Sequence, residues 1–409
     1  MSQISEILES NRRALERGGH HPIRRALYDQ ILEATGRHFV GIRGPRGAGK
    51  TVMLQQLAAS MEDACYISLD TLPRESDTFG LILELRDRYG FRNFFLDEVH
   101  FLPSAPGVLK RMYDELDVRV WFTSSVALHM RDSAHDLSRR VKMVSLSYFS
   151  YREYLRIRHG VTLPGLTLEN LLEGKGSPVW MREADRFERY LLGEMLPYSL
   201  DEPDPLPLLA STVETVLRKD IPSILRLHVD ELELLGRLLR FVGRSGVDGI
   251  NYTSLSNNLG ITKYKAEQYV GALEDAFLLQ RLLPEGTNVR KEPKVLMMPP
   301  LRLLYREPEE ARGGLREDLF VMAMRQQGFE PAYVKGTRGE KIPDFLLSYQ
   351  GKRVVIEVGG KGKGRSQFKG ITADEIRIAA EGGAWDREHI PLHLFACLGH
   401  SGIEGRGRA

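Results

Sequence analysis

The sequence predicts an α/β protein whose parallel sheet is covered by helices on both faces. Three observations predict it. Four short apolar segments have the composition of buried strands, at residues 38–43, 64–69, 93–96 and 118–123. Apolar residues recur at helical spacing between them, as in 52–58. A glycine-rich turn joins the first strand to the first of these helices. Short buried strands that alternate with helices are typical of parallel sheets with both faces covered.

The composition bounds the size and the class of the protein. A chain of 409 residues is longer than one compact domain, and 42% hydrophobic with 27% charged residues excludes a disordered chain. Lys and Arg outnumber Asp and Glu by only 57 to 55, so bulk charge does not indicate a nucleic-acid partner. No apolar run of 18 residues occurs, and the N-terminus is polar with mixed charge. We therefore expect no membrane span and a cytoplasmic protein.

The order of the predicted elements divides the chain into five parts. They are a helical segment at 1–35, the strand–helix core at 36–155, a helical lid and linker at 156–230, a block at 231–300 and a last block at 301–409. The last block is predicted to be a small α/β domain, with a helix over 315–328. Its predicted strands are 331–334, 344–348, 354–358 and 391–397.

Residues 231–300 have the pattern of a winged helix. Two predicted helices, at 254–259 and 262–276, flank a turn that contains Gly260, and a strand-like segment follows at 278–283. Two helices joined by a turn with glycine, followed by strands, are typical of winged helix-turn-helix modules. A small all-helical lid remains the alternative for this block.

Residues 44–51 carry the strongest functional pattern in the chain. They fit the phosphate-binding loop G-x-x-x-x-G-K-[ST], with a predicted strand before it and a predicted helix after it. In such a loop, backbone N–H groups surround a phosphate at the N-terminus of the helix. We expect Lys50 to reach the β- and γ-phosphates of ATP and Thr51 to hold Mg²⁺ through its hydroxyl. The predicted nucleotide-binding residues are Gly44, Pro45, Arg46, Gly47, Ala48, Gly49, Lys50 and Thr51.

Two adjacent acids close a neighbouring predicted strand. Asp97 and Glu98 follow the apolar residues 94–96 and lie 47 residues after Lys50. Mg²⁺ prefers hard oxygen ligands, and hydrolysis requires an oriented water molecule. We expect Asp97 to support Mg²⁺ through its water shell and Glu98 to polarise the attacking water. A glutamate at this position favours hydrolysis over storage of a bound nucleotide.

Residues beyond the next strand suggest further contacts to the nucleotide. The strand ends in Thr123, Ser124 and Ser125, whose hydroxyls are candidates to lie beside the γ-phosphate, although simple polarity at a strand end explains them equally well. Arg140 precedes an apolar segment, and an arginine here is a candidate to stabilise transition-state charge on a neighbouring subunit's nucleotide. A solvated or DNA-facing arginine is the alternative.

These motifs together resemble those of the prokaryotic AAA+-type ATPases. The similar segments are residues 44–51, 95–100, 123–125, 139–140 and 147–154. The chain is most similar to the subgroup that continues into a winged helix and a C-terminal restriction-endonuclease-like domain of the PD-(D/E)XK type. The resemblance covers nearly the whole chain and is carried by specific motifs only in the ATPase part.

The resemblance implies roles for individual residues and an assembly. Lys50, Thr51, Asp97 and Glu98 take the Walker roles, with ATP and Mg²⁺ as cofactors. Ser124 or Ser125 takes the sensor position, and Arg140 takes the place of the arginine before the closing strand. The resemblance also implies a homo-oligomer, of which a hexameric ring is one form.

Acidic residues in the last block are candidates for a nuclease site. Asp344 begins one predicted strand and Glu357 lies on the next, so their carboxylates can share a divalent metal, and Glu317 on the preceding helix can add a third oxygen. This resembles the PD-(D/E)XK pattern, which requires a lysine two residues after the glutamate. Position 359 is glycine here, and Lys361 follows on a glycine-rich segment. A metal-dependent nuclease, a degenerate DNA-binding domain and strand-end acids without a role all remain open.

Local clusters of basic residues make DNA the expected partner, bound without sequence preference. Residues 351–370 contain six basic residues against one acid, interleaved with glycines that allow a phosphate backbone to approach. In the predicted recognition helix, Lys263 and Lys265 are candidates to face a groove. The predicted DNA-binding residues are Lys263, Lys265, Lys361, Lys363 and Arg365. Each such run taken alone is as well explained by a solvated surface.

Two functions from different classes follow from these motifs. The first is an ATP-hydrolysing protein that binds DNA, including branched or forked DNA. The second is a nucleotide-gated switch that binds a protein partner and carries a degenerate nuclease domain. Glu98 counts against the second, because a slow switch does not need an acid that polarises water. A small-molecule kinase is a minor third reading, since no acceptor-site motif is recognisable.

Overall fold

A computed structural model gives the fold of the chain. It describes residues 3–33, 36–73, 75–127, 137–175, 178–225, 227–246, 250–286, 292–334, 343–360, 368 and 371–399. The chain divides into two units. The first unit comprises Met1–Tyr148 and Thr215–Arg226, and the second comprises Phe149–Glu214 and Leu227–Ala409. Within the described residues, no helix combines the length and the apolar character needed to span a membrane.

The first unit is built on a five-stranded sheet in which all strands run parallel. The strands are β1 (Phe39–Arg43), β2 (Ala64–Ser68), β3 (Asn93–Asp97), β4 (Arg119–Ser124) and β5 (Val141–Ser145), in the order β2-β3-β4-β1-β5. The helices are α1 (Gln3–His20), α2 (Leu27–Leu32), α3 (Lys50–Ala59), α4 (Thr78–Tyr89), α5 (Ala105–Glu115) and α10 (Ile221–Ile224). The predicted α/β class and parallel sheet are confirmed.

Successive apolar side chains along each strand pack on opposite faces of this sheet. Phe94 and Phe122 point to the face covered by α4 and α5, where they share a core with Leu85 of α4. Their neighbours Phe95 and Trp121 point to the opposite face, where α3 packs. Alternation with a period of two on strands buried on both sides explains why the strands read as continuous apolar runs in the sequence.

The N-terminal helix covers the edge strand of this sheet. Asn11 of α1 is buried, and its amide donates to the carbonyl oxygen of Ala64 (3.2 Å) while its own oxygen accepts from the backbone N–H of Tyr66 (2.7 Å). Both partners belong to β2, the edge strand of this sheet, which has no further neighbouring strand in the part of the chain that the structure describes. The side chain therefore satisfies backbone groups that an edge strand would leave unpaired.

The second unit combines short helices with a smaller sheet. Its helices are α6 (Tyr151–His159), α7 (Leu168–Leu172), α8 (Phe187–Arg189), α9 (Leu206–Thr215), α11 (Val229–Arg244), α12 (Tyr252–Leu259), α13 (Lys263–Asp275), α14 (Pro308–Gln326) and α15 (Leu392–Ala396). Its strands are β6 (Leu279–Leu282), β7 (Lys294–Met297), β8 (Phe345–Tyr349), β9 (Lys352–Gly359), β10 (Glu375–Ala380) and β11 (His389–Pro391). The predicted additional small α/β region is therefore present.

The four-stranded sheet of the second unit has the order β11-β10-β9-β8. β8 pairs antiparallel with β9, and the other pairs are parallel. The predicted strand at 391–397 is wrong beyond Pro391, because residues 392–396 form the helix α15. A short run that is apolar except for His393 cannot be assigned to strand or buried helix by its period. The predicted strand at 331–334 is reduced to isolated bridges from Ala332 and Tyr333.

Three helices and a strand pair occupy residues 229–297 of the second unit. Gly260 ends α12 in the left-handed conformation with φ of 66°, and Thr262 caps α13 by accepting the backbone N–H of Lys265 at 3.2 Å. β6 then pairs antiparallel with β7. The order of helices, turn and strands follows the sequence pattern, and its assignment as a winged helix stays a prediction, as do the five domain boundaries.

Candidate nucleotide site

The carboxyl ends of three neighbouring strands bring the predicted nucleotide residues together. β4 lies between β1 and β3, and all three run in the same direction. The loop after β1, the acids at the end of β3 and the serines at the end of β4 therefore meet at one edge of the sheet. In open α/β sheets, ligands bind outside this edge.

The backbone of residues 44–49 forms a tight loop that favours glycine at three positions. Gly47 and Gly49 have φ of 82° and 89°, a conformation that side chains with a Cβ disfavour. Gly44 is required for a different reason, since a Cβ there would lie 1.8 Å from the backbone oxygen of Leu146. The loop leads into the N-terminus of α3, whose unpaired N–H groups attract anions.

Lys50 lies inside this loop. It is buried, and Nζ donates to the carbonyl oxygens of Gly44 and Pro45, both at 2.9 Å. Burial lowers the pKa of Lys50, while the carboxylates of Glu98 and Asp97 act in the opposite direction. The ammonium group is thus held by neutral acceptors, and a bound phosphate would offer it a stronger, charged partner.

Asp97 accepts hydrogen bonds from three hydroxyl groups. Oδ2 accepts from Oγ1 of Thr51 and from the hydroxyl of Tyr66, each at 2.8 Å, and Oδ1 accepts from the hydroxyl of Thr123. Burial raises the pKa of Asp97, Glu98 raises it further, and the three hydroxyls oppose this. Thr51 and Asp97 present two hard oxygen donors side by side, a donor set that fits Mg²⁺.

Both the backbone and the carboxylate of Glu98 form hydrogen bonds with the end of β4 and the residue after it. Its φ is 54°, in the left-handed region, and its N–H donates to Oγ1 of Thr123 at 2.9 Å. Oε1 accepts from Oγ of Ser125 (2.8 Å), and Oε2 accepts from the N–H of Ser125 (3.2 Å) and lies 3.3 Å from Nδ1 of His100. The carboxylate therefore has a defined orientation at the strand edge.

The predicted sensor serines lie differently. Ser125 binds Glu98, whereas Ser124 donates from Oγ to the carbonyl oxygen of Val126 at 2.6 Å and lies 3.4 Å from Nδ1 of His100. Both serines are fully buried. Thr123, whose hydroxyl is also a candidate to lie beside the γ-phosphate, bridges the two acids through that hydroxyl.

Asp220 and His100, to which the sequence assigned no individual role, complete the site. Asp220, in the turn Val216–Asp220, accepts from Nη1 of Arg46 at 3.0 and 3.1 Å, and its Oδ1 lies 3.9 Å from Nε2 of His100. Burial alone would raise the pKa of Asp220, but His100 and Arg46 outweigh it and lower the pKa. Arg46 lies 174 residues from Asp220, so no local sequence pattern predicts this contact.

Arg25, which belongs to the N-terminal segment, donates a hydrogen bond to the phosphate-binding loop. Its Nη1 donates to the carbonyl oxygen of Ala48 at 2.7 Å, and its Nη2 donates to that of Ser147 at 2.9 Å. The side chain is buried. One guanidinium group thus ties the loop to the segment that follows β5, which stabilises the loop conformation.

Arg140 lies away from these acids, at the start of β5. Its Nε and Nη2 donate to the two carboxylate oxygens of Asp114 at 2.9 and 3.0 Å. The Arg140 hydrogen bond is the largest cause that lowers the pKa of Asp114. A role for Arg140 on a neighbouring subunit's nucleotide would require the loss of this bidentate pair.

The predicted nuclease acids lie close together in the second unit. The N–H of Asp344 donates to Oε2 of Glu357 (3.3 Å), and Oδ2 of Asp344 accepts from the N–H of Val358 (2.9 Å). Glu317 of α14 binds Nζ of Lys294 at 2.7 Å. Burial raises the pKa of Glu317 to about 8; Lys294 opposes the shift and Asp344 adds to it. Among the described residues, these acids do not form a cluster of three metal ligands.

The predicted DNA-binding lysines on α13 are paired with acids. Lys263 forms an ion pair with Glu292, and Lys265 forms one with Glu231 at 3.3 Å. Both lysines remain about half exposed. The other predicted DNA-binding residues, Lys361, Lys363 and Arg365, lie outside the described residues.

Comparisons with known proteins assign the core of the site to a known domain family. Residues 36–155 match the family described as AAA domain, and residues 185–299 match a domain of unknown function (DUF8612). The chain is 24% identical over 392 residues to the uncharacterized protein MJ1637 of Methanocaldococcus jannaschii, covering 87% of this chain and 82% of that protein.

Two solved structures are similar to parts of the chain. AMPPCP-bound DnaA from Aquifex aeolicus shares 17% identity and a TM-score of 0.23, covering 61% of this chain and 86% of that chain. The S. cerevisiae Hsp104–ADP complex shares 16% identity and a TM-score of 0.31, covering 77% of this chain and 45% of that chain. The AAA family match, together with the loop and acids described above, supports an AAA-type P-loop ATPase domain in the first unit.

Proposed function

We propose that the first unit binds ATP with Mg²⁺ and hydrolyses it. One observation carries the proposal: Lys50, Thr51, Asp97 and Glu98 meet at the strand edge beside the N-terminus of α3, although they come from two separate parts of the sequence. Phosphate, magnesium and water each find a partner of the right chemistry there. The match of residues 36–155 to the AAA domain family supports the same conclusion.

Each residue takes a role that its contacts support. The N–H groups of residues 47–51 bind phosphate oxygens, and Lys50 exchanges the carbonyls of Gly44 and Pro45 for the β- and γ-phosphates. Thr51 would hold Mg²⁺ through its hydroxyl and Asp97 would support it through its water shell; the bound cation would supply positive charge beside the phosphates. Glu98 orients the attacking water through its carboxylate.

We propose DNA as the partner and a homo-oligomer as the working form. The basic residues of 351–370 and the winged-helix pattern of 231–300 support DNA binding without sequence preference. The domain that carries Asp344, Glu357 and Glu317 contributes to DNA binding; metal-dependent cleavage by these acids, with Lys361 as the candidate for the missing lysine, is the alternative. Arg140 acts on the nucleotide of a neighbouring subunit after it leaves Asp114.

One observation favours a second function, a nucleotide-gated switch that binds a protein. Lys263 and Lys265 of α13 are paired with Glu292 and Glu231, so this helix offers less positive charge than its sequence suggests. A helix with neutralised lysines suits a protein surface better than a phosphate backbone. In this version α13 docks a protein and the last block carries no activity.

The ATPase rate of the full chain with and without DNA separates the two functions. The DNA-binding version predicts stimulation by duplex, forked or single-stranded DNA and an affinity that falls steeply with salt. A rate that is indifferent to every DNA, without salt-sensitive binding, supports the protein-docking version. Mass in solution with and without ATP then tests the oligomer. Lys142→Ala removes one positive charge at an exposed position of β5. It is the control for a general effect of lost positive charge when a lysine of the proposed site, such as Lys50, is replaced.

A further inference from the structure

His100 is a buried polar side chain beside Glu98. The proposed hydrolysis of ATP has so far given His100 no role. It lies two residues after Glu98 and is 3% exposed. Its Nδ1 lies 3.3 Å from Oε2 of Glu98 and 3.4 Å from Oγ of Ser124. Its Nε2 has no hydrogen-bond partner among the described residues. Buried polar atoms of this kind call for an explanation in terms of function.

The neighbours of Nδ1 determine where the proton of the imidazole lies. The carboxylate oxygen of Glu98 can only accept. Ser124 already donates its hydroxyl hydrogen to the carbonyl oxygen of Val126 at 2.6 Å, so towards His100 its Oγ is an acceptor as well. Nδ1 therefore faces acceptors on both sides and carries a hydrogen, whether or not Nε2 carries one too. That N–H faces Oε2 of Glu98 at an N···O distance of 3.3 Å.

The opposite side of the ring faces a second carboxylate. Oδ1 of Asp220 lies 3.9 Å from Nε2, and Arg46 of the phosphate-binding loop holds Asp220 in place through Nη1. The ring of Phe101 lies 4.3 Å from the imidazole, measured between centroids. His100 is thus confined between Glu98, Asp220 and Phe101 in one orientation.

We propose that His100 is a positioning residue for Glu98, an inference that rests on the ATP hydrolysis proposed above. Ser125 holds Oε1 and Oε2 through its hydroxyl and its N–H, and Nδ1 of His100 lies 3.3 Å from Oε2. A carboxylate has about four acceptor sites; Ser125 occupies two of them here, and the N–H of His100 faces a third. The remaining site, on Oε1, is the one that accepts a proton from the attacking water. His100 fixes this site in space.

Two nearly isosteric substitutions test the role. His100→Asn places an amide nitrogen where Nδ1 lies, so an N–H beside Oε2 of Glu98 is kept. His100→Gln places its amide where Nε2 lies and removes that N–H. We expect kcat for ATP to fall about 10- to 100-fold in His100→Gln and in His100→Ala, and to stay within about threefold of the parent in His100→Asn. KM for ATP and the affinity for ATP·Mg²⁺ should not change, because His100 does not touch the phosphate-binding loop.

Each other outcome overturns the inference in a distinguishable way. A parent-like kcat in His100→Ala, or rescue by Gln instead of Asn, means that Nδ1 does not position Glu98. A rise in kcat in His100→Ala means that the contact holds Glu98 away from water. A loss of affinity with kcat unchanged makes His100 a binding residue. Absence of turnover in the parent overturns the proposed function as well, whereas turnover in the parent that His100→Ala leaves unaltered overturns this inference alone.

Discussion

Oγ1 of Thr51 lies 2.8 Å from Oδ2 of Asp97, although the two residues are 46 positions apart. The first belongs to the N-terminus of α3 and the second closes β3, so the contact joins the phosphate-binding loop to the acidic strand end. It places the hydroxyl that is expected to hold Mg²⁺ beside the carboxylate that is expected to support Mg²⁺ through its water shell.

Lys50→Ala should remove nucleotide binding. Nζ of Lys50 is buried in the loop, and its loss leaves the β- and γ-phosphates without the ammonium that would neutralise them. We expect the affinity for ATP·Mg²⁺ in calorimetry to fall at least about 100-fold, since charge-assisted contacts to phosphate contribute about 2 kcal/mol or more each. Lys142→Ala is the control and should bind as the parent does. Equal affinity in the two variants would contradict the role of Lys50.

Glu98→Gln should bind ATP and hydrolyse it slowly. The amide keeps the size of the side chain and an oxygen for Ser125, but it cannot accept a proton from water. We expect kcat to fall about 100-fold or more while the affinity for ATP·Mg²⁺ stays within a few-fold of the parent. Phosphate release under single-turnover conditions measures the first quantity. Turnover at the parent rate would move the catalytic role to another residue.

Thr51→Val should raise the concentration of Mg²⁺ that turnover requires, whereas Thr51→Ser should not. Valine has the shape of threonine without the hydroxyl, and serine keeps the hydroxyl. Loss of one oxygen ligand of Mg²⁺ weakens its binding, and we expect the half-saturating Mg²⁺ concentration to rise about tenfold in Thr51→Val. A Mg²⁺ titration of the ATPase rate at saturating ATP decides this. An identical titration in both variants would contradict a ligand role.

His393→Gln should make the second unit less sensitive to acid. Burial lowers the pKa of His393 to about 4, and Nε2 lies 3.2 Å from the carbonyl oxygen of Trp180. The pKa of His393 in the folded state lies below its ordinary value of about 6.5. Neutral His393 therefore contributes fully to the free energy of unfolding above about pH 6.5, and this contribution is lost as the pH falls towards 4. The parent should lose about 2 to 3 kcal/mol more than the variant between pH 7.5 and 4.5. Urea unfolding at the two pH values measures this, and parallel losses would contradict it.

The full chain should bind DNA without cutting it. Glycine occupies position 359, and Lys294, the lysine bound to Glu317, belongs to β7 and not to the strand that carries Glu357. Incubation of supercoiled DNA with the protein and Mg²⁺ or Mn²⁺ should leave the DNA intact. Cleavage that disappears in Asp344→Ala would establish a nuclease and contradict this prediction.

Local patterns predicted the fold of the first unit and the core of its site. Strands buried on both faces leave continuous apolar runs, and the loop 44–51 and the acids Asp97 and Glu98 each occupy a short segment of fixed spacing. The strand order then brings them together, because β4 lies between β1 and β3. Fold class and sheet type were therefore accessible from the sequence alone.

Contacts between distant segments could not be predicted in this way. Asp220 reaches Arg46 across 174 residues, and Arg25 reaches the segment after β5 across 122 residues. Neither has a motif of its own. His100 lies inside the motif 95–100, yet its contacts with Glu98 and with Ser124, 24 positions away, appear only in the folded strand ends. The helix α15 was mistaken for a strand because four of its five residues are apolar and all five are buried, which leaves no polar face to show the helical period.

The rate of phosphate release from ATP·Mg²⁺ by the parent and by Glu98→Gln, each with the bound nucleotide measured in the same samples, tests the central claim most directly. We predict that both proteins bind ATP with similar affinity and that only the parent releases phosphate at a substantial rate. A parent that binds no ATP, or a variant that releases phosphate as fast as the parent, would contradict hydrolysis at this site.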